Sequence, residues 1–130
     1  MLRRIARVLI PVVGVGVIVF GALIPTWVEY RREVVNWSTA WVVFDVLFGV
    51  VILATWVAAR RGHWVALALA GTVNALQAVD VLFSLMVFYD LSERPFILVW
   101  ACVAQPVFAV LVWVYVRAAV PIPHRAGGGA

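Results

Sequence analysis

The chain has no lysine, one cysteine and two histidines, and charged residues make up only 12% of its 130 positions. Each shortage removes a class of protein. A water-soluble domain of this size is normally about a quarter charged, so the polar surface needed to keep it in solution is missing. With Cys102 as the single cysteine, no internal disulfide and no cysteine-based metal site can form, and the residue reads as a small packing side chain. His63 and His124 fall in a loop and in the tail, which leaves no histidine within the apolar runs to hold haem or metal. GxxxG, HExxH, Ser-His-Asp and P-loop patterns do not occur. "GVGV" near the start lies inside an apolar run and lacks the strand and helix that frame a phosphate loop. The expectation is a chain with no catalytic residues, no cofactor and no metal.

What is abundant is apolar. Hydrophobic residues make up 66% of the chain and the mean hydropathy is +1.09. A transmembrane helix needs roughly 20 mainly apolar residues to cross a core about 30 Å thick. Four runs qualify, at about Val8–Val28, Ser38–Ala59, Trp64–Tyr89 and Pro95–Val116. No segment alternates apolar and polar residues as a membrane strand would. The valine content would favour strand in water, but in lipid each segment must satisfy its own backbone groups, which helices do. The expected fold class is all-α: a polytopic membrane protein, an antiparallel bundle of four transmembrane helices, forming a single domain over residues 1–130. "MLRRIAR" resembles the basic start of a signal peptide, but the apolar run after it is long and "GALIPTW" offers no A-x-A site, so the first helix is expected to be retained. Residues 117–130, ending in "PIPHRAGGGA", read as a flexible tail.

Arginine sets the orientation. Arg3, Arg4, Arg7, Arg60, Arg61, Arg117 and Arg125 fall on one side without an acid, whereas Arg31, Arg32 and Arg94 on the other side accompany Glu29, Glu33, Asp90 and Glu93. On loops this short the asymmetry places both termini in the cytoplasm. Trp27, Tyr30, Trp37, Trp41 and Tyr89 then form an outer aromatic belt, and Trp56, Trp64, Trp113 and Tyr115 an inner one. The expected location is the bacterial plasma membrane, multi-pass. The net charge of +4 is accounted for by topology, leaving no basic patch for nucleic acid. "RRGHW" holds two arginines, fewer than the usual cluster that recognises anionic lipid. "EYRRE" reads as a salt-bridged helix end.

Against this background a few polar residues stand out. At 1.5 Å per residue, Asn74 and Gln77 fall near the midplane of the third helix and Asp80 roughly 5 Å outward, at the same depth as Asp45 on the second. Asn74, Gln77, Asp80 and Ser84 share an arc of about 120°. The fourth helix adds Gln105 beside Pro106, which is expected to kink it. Ala66, Ala70, Asn74 and Ala78 recur at i, i+4, and Gly49 lies on the Asp45 stripe, so these small residues are expected to form helix-packing edges. The polar set should therefore face protein. An ionised Asp near the centre of a span costs about 2.5–3.5 kcal/mol, so Asp45 and Asp80 are expected to be hydrogen-bonded, with at least one holding a proton at neutral pH.

"WVVFD" opening the second helix, "RRGHW" after it and "LQAVDVLF" in the third together resemble small four-helix hypothetical membrane proteins of high-GC actinobacteria, over about residues 37–90. That resemblance carries no activity and no functional residues. Small multidrug transporters are similar in size and helix number, but their working carboxylate lies in the first helix, where this chain has none. Two readings follow. In the first, the polar residues are interhelical glue in an accessory or scaffold subunit that associates with another membrane protein or with itself. In the second, Asp45 and Asp80 serve an oligomeric proton-coupled transporter or channel.

Overall fold

The computed structural model describes residues 2–27, 37–87 and 98–121. Residues 28–36 and 88–97, with Tyr30, Tyr89 and the charges expected on the outer side, and residues 122–130 lie outside the described residues. Helix α1 runs Leu2–Trp27, α2 Trp37–Arg60 and α3 Val65–Val87; a π-helical turn at Trp100–Ala104 leads into α4, Gln105–Ala119. Four helices among the described residues are long and apolar enough to cross a membrane. The all-helical expectation is met.

The helix ends differ from the sequence reading in instructive ways. Helix α1 starts at Leu2 and not at Val8, because Arg3, Arg4 and Arg7 are good helix formers and add their turns to the apolar run. Helix α4 likewise runs on to Ala119, through Arg117, into the segment read as tail. Helix α2 ends in a Schellman turn. Gly62 adopts φ 65°, the His63 N–H bonds the Ala58 carbonyl and the Gly62 N–H bonds the Ala59 carbonyl, both at 3.0 Å. His63 then starts α3: its Nδ1 accepts from the Val65 N–H at 3.3 Å and its carbonyl from the Ala66 N–H at 3.0 Å. "RRGH" is thus a stop signal followed at once by a start signal.

Three prolines, Pro11, Pro25 and Pro106, sit inside helices, and the first and last are accommodated differently. Pro11 has no N–H to give the carbonyl of Arg7 one turn back. That carbonyl instead accepts the indole N–H of Trp56, from α2, at 2.9 Å. Pro106 is preceded by the π-helical turn, in which the Gln105 N–H reaches back to the Trp100 carbonyl. The wider turn makes room where a proline ring would collide with the preceding carbonyl.

Helix α1 packs most extensively on α2, and α2 also borders α3 and α4. The first contact depends on glycine. A Cβ on Gly49 would overlap the Ile18 side chain and stand 2.7 Å from the carbonyl oxygen of Gly14, and one on Gly21 would overlap Cβ of Asp45. Ile10, Ile52, Val73, Val112 and Val116 are fully buried along the centre, while Val8, Val12, Val15, Val19, Leu47, Leu82 and Val110 remain exposed outside. An apolar exterior of this extent is costly in water and costs nothing in lipid.

Candidate functional site

Apart from Thr55, the buried polar residues gather around one seam. Asp45 of α2, Gln77 and Ser84 of α3 and Gln105 of α4 are buried, with Asn74 and Asp80 half-buried beside them. The α3 wheel explains the gradation. Ala66, Ala70, Val73, Gln77 and Ser84 recur at steps of four, three, four and seven, which hold one direction, and all are buried. Asn74 and Asp80 lie at the two edges of the polar arc.

The same geometry corrects the expected packing edge. Ala66 and Ala70 are fully buried, but Ala78 is exposed. Each i+4 step advances about 400°, so a strict run drifts by about 40° per step and has rotated off the seam after three. Gln77 takes the place that Ala78 was expected to fill. Gly49 is buried, and it packs against α1.

Two hydrogen bonds join α3 to α4. The Gln77 side-chain amide donates to the backbone carbonyl of Gln105 at 3.1 Å, and the Gln105 side-chain amide donates to the Asp80 carboxylate. Each glutamine therefore spends its N–H, and its carbonyl oxygen is left over. Gln77 Oε1, Gln105 Oε1 and Asn74 Oδ1 are buried with no hydrogen-bond partner among the described residues. Such oxygens each cost about 1–3 kcal/mol when left unpaired. Asp45 lies against Gly21 of α1 and is close enough to Asp80 for the two carboxyl groups to interact electrostatically. No hydrogen bond to Asp45 forms among the described residues.

Around this cluster the packing is aromatic toward one end. Trp41 meets Phe83 of α3 edge to face at 6.0 Å and Phe44 of its own helix at 5.9 Å. Thr55, fully buried, turns its hydroxyl back to the Val51 carbonyl at 2.7 Å and so needs no partner from another helix. Cys102 is exposed on α4.

Sequence reasoning missed Gly14 and Gly21, which form the α1 side of the tightest contact. Their seven-residue spacing, two helical turns, was the available signal, hidden because it is not GxxxG. It also missed the link between Pro11 and Trp56. No family model, curated protein or solved structure matches the chain.

Proposed function

We propose that this chain is a small integral membrane protein of the bacterial plasma membrane, an antiparallel four-helix bundle with both termini cytoplasmic, acting as an accessory or scaffold subunit. Its intramembrane polar residues serve packing and not catalysis. The observation that carries this reading is the pair of hydrogen bonds by which Gln77, Gln105 and Asp80 tie α3 to α4. Side chains committed to interhelical bonds fix register, at an average of about 0.6 kcal/mol each. Its partner is another membrane protein or a second copy, reached through the apolar exterior.

A second reading has one observation of its own. Two carboxyl groups within electrostatic reach, beside three partnerless amide oxygens, supply the oxygen groups that a proton or cation relay needs. Substitution separates the two. In the packing reading, Asp45→Asn and Asp80→Asn leave the assembled state in mild detergent and the proteins that co-purify with it unchanged, and liposomes carrying the chain take up no more protons than empty ones. Proton uptake by the wild type that either substitution abolishes would replace the packing reading with the relay.

A further inference from the structure

At the arginine-bearing end of the bundle, α1, α2 and α4 border an open cavity of about 380 Å³ lined by the exposed Arg3, Arg4, Arg7 and Arg60 and by the buried Tyr115. The sequence scatters these residues over three helices, and only the fold brings the four arginines to one opening. Among the described residues their charge has no counterpart nearby. Asp45 and Asp80 are the only acids among the described residues, and both lie in the middle of spans. Two of the arginines, Arg3 and Arg4, also stand at the positive end of the α1 dipole, in a first turn with no acidic residue. A cavity built this way is completed by an anion.

Its walls are held in place. The Trp56 indole donates to the Arg7 carbonyl, pinning the start of α1 to the end of α2, and the Arg60 guanidinium lies 4.9 Å over the Trp56 ring. The volume falls within the range of pockets that enclose small ligands. The depth identifies the source of the anion. The cavity opens where the apolar spans end, which in a bilayer would bring it close to the lipid phosphates, and planar guanidinium groups pair with phosphate oxygens two at a time.

We propose that this cavity binds the phosphate of an anionic phospholipid headgroup, held by Arg3, Arg4, Arg7 and Arg60. Clusters of four or more basic residues at a membrane surface are the usual recognition unit for such lipids, and each contributes about a fivefold change in binding. The test titrates the purified full chain, in uncharged detergent, with phosphatidylglycerol, phosphatidylcholine or inorganic phosphate, read by native mass spectrometry and tryptophan fluorescence. Phosphatidylglycerol binds saturably and in preference to the other two. Arg7→Gln with Arg60→Gln weakens it by about 30-fold, while Arg61→Gln with Arg117→Gln, an equal loss of charge outside the cavity, has far less effect. If the first pair fails to fold, Arg3→Gln with Arg4→Gln makes the same test without touching the Trp56 contacts. Equal weakening by the cavity and control pairs would reduce the effect to diffuse charge and overturn the site. Equal binding of phosphatidylcholine would overturn the anion. Displacement of the lipid by inorganic phosphate would reassign the cavity to a soluble anion.

Discussion

The α1–α2 and α3–α4 contacts bring helices together within the same apolar solvent but by different chemistry. Between α1 and α2 the contact is steric: Gly49 faces the Gly14 carbonyl and Ile18, and Gly21 faces Asp45, so two backbones meet with almost nothing between them. Between α3 and α4 it is polar, with Gln77 reaching a backbone carbonyl and Gln105 reaching a carboxylate. Water would drive both contacts by burying apolar area, but lipid tails are as apolar as the side chains. What remains is close packing and hydrogen bonding, and this chain uses one at each interface. The steric contact tolerates no added atom. The polar one tolerates exchange of atoms so long as the hydrogen bonds survive.

That contrast can be broken by substitution. The largest effect is expected from Gly49→Val, whose new atoms must displace backbone at Gly14; unfolding in mixed SDS micelles should show a loss of about 3 kcal/mol or more. Gln105→Leu comes next, at about 1–2 kcal/mol, because it takes the donor away from the half-buried Asp80 carboxylate. Trp56→Phe should cost about 1 kcal/mol by the same measurement, since the Arg7 carbonyl loses its only compensation for Pro11. In a Pro11→Ala background, where a backbone N–H is restored, that cost should fall toward zero. A cycle in which the two changes simply add would show that the indole bond has no link to the proline. Smallest of all is Asp80→Asn, at under about 1 kcal/mol, since the asparagine oxygen still accepts from Gln105.

Much of this architecture is legible in the sequence because lipid imposes simple requirements. Four apolar runs and an all-helical fold follow from length and composition alone, and the arc holding Asn74, Gln77, Asp80 and Ser84 follows from the helical period. The details that escape depend on partners distant in sequence. That Gln77 bonds the backbone carbonyl of Gln105 depends on α3 lying against α4, an adjacency that the residues of α3 alone do not state. That Ala78 faces outward depends on a drift of about 40° per step that a strict i, i+4 pattern conceals. Gly14 and Gly21 mean little until Gly49 is set opposite them. The arginine cavity is invisible for the same reason, its residues belonging to helices whose adjacency the sequence does not state.

The central proposal is that the Asp80 carboxylate and the amides of Gln77 and Gln105 bond helices together and that the polar residues within the spans do not conduct. Its most direct test is proton uptake by liposomes loaded with a pH-sensitive dye and carrying the wild-type chain or Asp80→Asn, under an imposed pH gradient. Both should leak at the rate of empty liposomes. Uptake by the wild type above that rate, abolished by the single exchange of an oxygen for an amide nitrogen at Asp80, would contradict the account.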